Sequence, residues 1–253
     1  MSALQHTAIE QTMAHQDVSD KYVQISTRDI ITSLENQGFE LDNVNVANVR
    51  KESNRGFQKH LVTMRYHALS TSEGVPTVVI QNSHNRTSGL RFHTGYIRWA
   101  CSNGLVFGTN ISEKSIQHSA KWQDKAEDFL SNYMEEVAKM DRTFSRMRNQ
   151  YMSSTMIQEF SYRAAGLRYN QKLVLDTNEL SLVTRSEDVG NNLYVVYNRI
   201  QEALMKGSFK RKVENIDEGI ITHSDWSKAP RITSTDETMR INRQISELAM
   251  DYL

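Results

Sequence analysis

Apolar residues recur at every second position in the first part of the chain and at every third or fourth position in the rest. Short-period stretches run through FELDNVNVANV (39–49), FQKHLVTMRYHAL (57–69), VPTVVIQN (75–82) and SGLRFHTGYIRWAC (88–101), and predict strands. In the second of these, His60, Val62, Met64 and Tyr66 share one parity, and Leu61, Thr63, Arg65 and His67 the other. The Ser-Asn-Gly at 102–104, between apolar runs, predicts a tight hairpin. Ahead of the strands, STRDIITSLENQG (26–38) reads as a helix. Ser26 with Asp29 resembles a capping box, and Gly38 suits the residue after the helix.

From about Ser112 to Ala165 the period lengthens. Trp122, Ala126, Phe129, Tyr133, Val137, Met140, Phe144, Met147 and Tyr151 form one stripe, as in one long helix or two in sequence, with Gly166 as a stop. A further helix is predicted from Asn192 to Lys206, closed by Gly207, and a last one from Ser234, which pairs with Glu237 in a capping box. The expected class is therefore α+β: an antiparallel strand meander, a long following helix and a helical C-terminal half. Residues 1–20, polar and without a period, are expected to be a flexible arm, 21–170 an α+β core, and 171–253 a helical region packed on it.

Composition narrows this picture only modestly. A chain of 253 residues can bury one sizeable core. No stretch approaches the roughly 18–20 apolar residues of a membrane span, and the N-terminus lacks the pattern of a signal peptide, so a cytoplasmic protein without membrane contact is expected. Cys101 is alone, which excludes an internal disulfide and a multi-cysteine zinc site. The eight histidines show no spacing suited to a metal, and His84 and His93 stand isolated. Phosphate-cradling glycine motifs are absent. No cofactor and no enzymatic activity are expected.

Charge changes the picture more. Thirty lysines and arginines balance thirty aspartates and glutamates, but they are segregated along the chain. Gly74–Ser112 contains no carboxylate to hold magnesium or act as a base, yet carries Arg86, Arg91 and Arg98 with Phe92, Tyr96, Trp99 and Phe107 between them. The segments 50–67, 142–172 and KGSFKRK (206–212) are also net basic, while acid gathers in 124–136 and the last forty residues. Cations with interleaved aromatics suit single-stranded nucleic acid, which is held through phosphates and stacked bases. The candidate contacts are Lys59, Arg65, Arg86, Arg91, His93 and Arg98, with Tyr96 and Trp99 as stacking platforms. A helix–turn–helix at 178–206 is a weaker alternative, because LYVVYNRI is too apolar to read bases.

QNSHNRTSGLRFHTGYIRWACSNGLV resembles the signature of a domain-of-unknown-function family found in bacteriophages and plasmids, the phage/plasmid-like protein family. The matching residues are Asn82, Ser83, His84, Gly95, Arg98, Cys101, Asn103 and Gly104. VSDKYVQISTRDIITSLENQGFEL (18–41), YNRIQEALMKG (197–207) and INRQISELA (241–249) are similar to its other segments, so the resemblance covers nearly the whole chain. Asn85-Arg86 departs from it, placing a cation where the family commonly has an acid followed by glycine. Membership implies a phage or plasmid origin and a bacterial cytoplasm, without supplying an activity. The outline is similar to phage single-strand annealing recombinases, an analogy at the level of fold.

Two functions are therefore expected in competition. One is non-enzymatic binding of single-stranded DNA in replication or recombination, with annealing as one outcome and a homo-oligomer as the working form. The other is a protein-binding accessory factor that modulates a host enzyme or defence system, with the NSHNRTSG tip as its recognition loop.

Overall fold

The computed structural model describes residues 7–18, 22–49, 51–72, 74–85, 87–98, 114–116, 122–169, 173–175, 177–217 and 220–253. Arg86, Trp99, Cys101, Phe107 and the Ser-Asn-Gly hairpin lie outside the described residues. The chain divides into two compact units, Met1–Lys139 and Met140–Leu253.

In the first unit, helix α1 (Thr27–Glu35) precedes a five-stranded antiparallel sheet: β1 (Glu40–Val46), β2 (His60–Arg65), β3 (Gly74–Asn82), β4 (Leu90–Arg98) and β5 (Lys114–Ile116), in that spatial order. The meander expected from alternation is present. The start of the predicted 112–165 helix is instead strand β5, and helix α2 begins at Trp122 and ends at Asn149. Capping at α1 follows the reading: the Asp29 amide donates to Ser26 Oγ at 3.1 Å.

Register explains where the core lies. Val44, Val62, Ile80 and Phe92 stand opposite one another in successive strands, so a single row of apolar side chains crosses the sheet. Ile30, Ile31 and Leu34 of α1 and Ala126, Phe129, Tyr133 and Val137 of α2 complete the cluster, with Phe92 stacked on Phe129 at 5.1 Å between ring centroids. The polar start of the chain joins it too. Residues 7–9 form one helical turn, and Ile9 is fully buried in the same core.

In the second unit, α3 (Ser154–Arg168) follows a break at 150–153, where Ser153 Oγ accepts from the Met156 amide at 3.3 Å. Gly166, expected as a stop, lies inside this helix. Then come β6 (Leu173–Leu175), the short helix α4 (Thr177–Leu180), α5 (Leu193–Lys206), β7 (Lys210–Asp217), β8 (Ile220–His223), β9 (Ser227–Lys228) and α6 (Thr235–Met250). β6, β8 and β9 all pair antiparallel with β7. This small sheet has no counterpart in the sequence reading. Its strands are two to eight residues long, and the longest, β7 (KRKVENID), carries charges where alternation would show.

Helix α5 has the ends predicted for it, an Asn192 cap and a left-handed Gly207 at φ 70°. Every residue from Leu193 to Met205 is buried, so α5 offers no base-reading face and the helix–turn–helix alternative is corrected. Gln201 Nε2 donates to Asn242 Oδ1 of α6 at 2.8 Å, satisfying two polar groups inside the core. Burial opposes the charge on Glu202, yet bonds from Arg185 and Lys206 hold its carboxyl down at about 2.

A Cβ on Gly207 would stand 2.2 Å from the Ala229 carbonyl oxygen and 2.6 Å from that of Pro230. Both are backbone atoms that cannot rotate away. Gly207→Ala is therefore expected to destabilise the second unit by about 2–3 kcal/mol or more through strain at positive φ and this clash. Urea unfolding would read it, and a change below about 1 kcal/mol would contradict it.

Candidate nucleic-acid interface

Of the contacts expected in β2–β4, few face solvent. Tyr96 is buried and its hydroxyl shares a 2.8 Å hydrogen bond with Thr71 Oγ1, so its ring presents no stacking platform. His93 and Arg98 are buried at 3% and 7% exposure, and neither is positioned as a free surface cation. Arg65 forms an ion pair with Asp42, which sits at a register shift in β1. Lys59 and Arg91 are half-buried. Arg86 and Trp99 fall outside the described residues. The described part of the acid-free segment, 74–98, is thus largely the interior of a sheet, and at least one of its flanking cations meets a carboxylate from a neighbouring strand. Charge counted along the sequence misses such pairs.

The Asn-Ser-His of the signature serves backbone and turn hydrogen bonds. Asn82, Ser83 and His84 are all fully buried. Asn82 Nδ2 donates to the Ile25 carbonyl at 3.2 Å and to Thr27 Oγ1 at 3.0 Å, while its Oδ1 accepts from the Ser83 amide at 2.9 Å. The Thr27 hydroxyl then donates to His60 Nε2 at 2.8 Å, and His60 Nδ1 donates to the Gln58 carbonyl at 3.0 Å. With Nδ1 bound to a carbonyl and burial disfavouring a second ring proton, Nε2 is the acceptor and His60 is a neutral ring. Burial pushes its pKa down to about 4, against the effect of the Gln58 bond.

His84 extends the network to the start of the chain. Its Nδ1 accepts from Gln24 Nε2 at 2.6 Å and its Nε2 donates to the Ala8 carbonyl at 3.2 Å. The His15 amide donates to the His84 carbonyl at 3.0 Å, and the Tyr22 hydroxyl to the Ser83 carbonyl at 3.2 Å. Burial raises Tyr22 to about 12, which keeps it a donor. Ser83 Oγ both donates to the Ser88 carbonyl and accepts from the Ser88 amide, each at 2.8 Å, closing the turn. The network is a structural hub. Buried as they are, Asn82, Ser83 and His84 do not form the exposed recognition loop expected of a protein-binding factor.

The exposed basic surface lies in the second unit, in the 206–212 segment that the sequence marks as basic. β7 and β9 set Lys210 directly opposite Lys228, so the two lysines share one face of the β7–β9 ribbon within the small sheet. On the same parity, Lys212 Nζ lies 4.8 Å from the centre of the Trp226 ring, whose residue is 45% exposed. Lys210 has one counter-ion, Glu179, at 3.4 Å; among the described residues Lys212 and Lys228 have none. On the other parity, Arg211 lies over the Tyr169 ring at 5.6 Å, and its buried Nε has no hydrogen-bond acceptor among the described residues. Sequence reasoning did not single out Trp226. The available signal was Trp226-Ser-Lys228 facing Lys210-Arg-Lys212 at matching i, i+2 spacing.

The fold and surface define an α+β protein of two units, one built on a buried polar hub and the other carrying a basic ribbon. The chain belongs to a family described as Domain of unknown function (DUF932), whose model matches residues 14–225. It is 29% identical over 202 residues to the UPF0380 protein YafZ of Escherichia coli (strain K12), covering 76% of this chain and 71% of that protein. The UPF0380 protein YfjQ of the same strain is similar to the same extent, 29% over 202 residues with 76% and 71% covered. No solved structure matches the chain.

Proposed function

We propose that the protein binds single-stranded DNA without catalysing a reaction on it, as a phage- or plasmid-encoded factor in replication or recombination, with strand annealing as its outcome. The reading keeps the function expected from the sequence and moves the contact surface from β4 to the β7–β9 ribbon. Its main support is the Lys210–Lys228 pair, placed opposite each other beside Lys212 and an exposed indole. Like charges directly opposed in a sheet cost roughly 0.2–1 kcal/mol, and a polyanion laid across them reverses the sign of that term. A bacterial cytoplasm and a homo-oligomeric form belong to the same proposal, since joining several ribbons would extend one basic track. The ordinary hydrogen bonding of the buried hub supports binding rather than catalysis.

The test is fluorescence anisotropy with labelled single- and double-stranded oligonucleotides at several salt concentrations. Wild-type affinity for the single strand should fall steeply with salt. The Lys210→Gln/Lys228→Gln variant should bind more weakly, with a salt slope smaller by roughly 1.4, about 0.7 for each lost phosphate contact. Unchanged affinity and slope would remove the ribbon from the account. Absence of binding at low salt would overturn the nucleic-acid reading and turn attention to protein partners.

A further inference from the structure

We infer that Trp226 is a base-stacking site that makes the ribbon selective for unpaired over paired nucleic acid; this rests on the nucleic-acid reading above. Trp226 is the one tryptophan whose side chain is described, and it remains 45% exposed although indole is the most costly aromatic to leave in water. It is not stranded in an apolar patch. Lys212 sits over its ring, and Lys228, two residues further along the chain in β9, stands opposite Lys210 in the register.

A π-face flanked by ammonium groups matches a nucleotide part by part, with the base on the ring and its phosphate on a lysine. Lys212 already marks the indole face as electron-rich and accessible, and a phosphate drawing that ammonium aside would leave the face open to a base. A duplex cannot use this site. Its bases are stacked on one another and present only edges in the grooves, so paired nucleic acid would meet the lysines and not the ring. The nearby acids, Glu179 bound to Lys210 and exposed Asp225 beside the indole, limit the track to a narrow strand rather than a broad groove.

The experiment compares wild type, Trp226→Ala, Trp226→Phe and Lys210→Gln/Lys228→Gln, binding a labelled oligothymidylate and a duplex of equal length. Trp226→Ala should weaken oligothymidylate binding roughly 5- to 100-fold, leave its salt slope intact and leave duplex binding unchanged. Trp226→Phe should recover part of the loss. In wild type, oligothymidylate should quench a component of tryptophan fluorescence that is missing in Trp226→Phe. Equal urea midpoints for wild type and Trp226→Ala establish that the exposed substitution leaves the fold intact.

Salt-dependent wild-type binding with oligothymidylate affinity unchanged in Trp226→Ala would overturn stacking and leave the ribbon reading in place. An equal loss for duplex and single strand would overturn the selectivity. No wild-type binding at low salt would overturn the nucleic-acid reading itself, and this inference with it.

Discussion

Asn82→Leu is expected to destabilise the first unit by about 3–6 kcal/mol, a large share of the roughly 5–15 kcal/mol that holds a typical domain folded. Asn82 is fully buried and uses both amide hydrogens and its oxygen at once, on the Ile25 carbonyl, Thr27 Oγ1 and the Ser83 amide. Leucine has the same branching and is bulkier, so the substitution leaves no cavity; it takes the partner from three polar groups in a site closed to water. Each such group costs roughly 1–3 kcal/mol. Asn82→Asp should be at least as damaging, because a carboxylate oxygen would then face the Ile25 carbonyl. A control three residues on separates the hub from the turn. Among the described residues Asn85 Oδ1 accepts from Thr87 at the exposed tip, at 2.6 Å to the hydroxyl, and Asn85→Ala should cost less than about 1 kcal/mol. Urea midpoints for the three variants settle the matter. Similar midpoints for Asn82→Leu and wild type would mean that water replaces the amide, and the hub would lose its assigned role.

That expectation bears on what the family resemblance conveys. Among the described residues that carry it, several are used by the fold: Asn82, Ser83 and His84 in the hub, Tyr197 and Gln201 inside α5, Gly207 at its left-handed end, Asn242 against Gln201. A pattern made of such residues identifies an architecture, because each is demanded by a backbone group or a packing contact rather than by a ligand. The ribbon lysines and Trp226 answer no such demand. This is why the resemblance could be read from the chain while the ribbon could not.

The same physics separates the elements that were legible from those that were not. Helix ends are local, so Ser26, Asn192, Gly207 and Ser234 announce them within three or four residues. The apolar stripe of α2 is local too, and Ala126 through Met147 are buried as its spacing requires, whereas Tyr151, past the helix end, is exposed. Facing across a sheet is not local. Arg65 meets Asp42 from the neighbouring strand, and β7 meets β9 across an intervening strand and loop, so neither pairing leaves a periodic trace. The acid-free segment was legible as composition, but its burial depends on strands and helices far away in sequence. Tyr96 and His93 were therefore placed on a surface when they belong inside.

Acidification should weaken the first unit through His60 by about 3 kcal/mol between neutral pH and pH 4. The folded ring titrates at about 4 and an unfolded histidine near 6.5. Between those values the unfolded chain holds a proton that the folded one refuses, so the stabilisation is complete above about 6.5 and is lost as pH falls towards 4. Below about 4 both states are protonated and this group contributes no further loss. The geometry gives the reason. His60 Nε2 accepts from the Thr27 hydroxyl, so an added proton there would set donor against donor. Thr27 could relieve the clash only by turning its hydrogen away, so that Oγ1 accepts from His60 as well as from Asn82, with the His84 ring 5.3 Å from that of His60. Other groups also titrate in this range, so the measurement is a difference. Urea midpoints of wild type and His60→Gln are compared at about pH 7.5, 5.5 and 4.5, glutamine being able to accept from Thr27 and donate to Gln58 without ionising. The variant should be the less stable protein at pH 7.5, and the gap should narrow or close by pH 4.5. A constant gap would place the proton elsewhere and leave the relay from Asn82 to Gln58 without influence on acid stability.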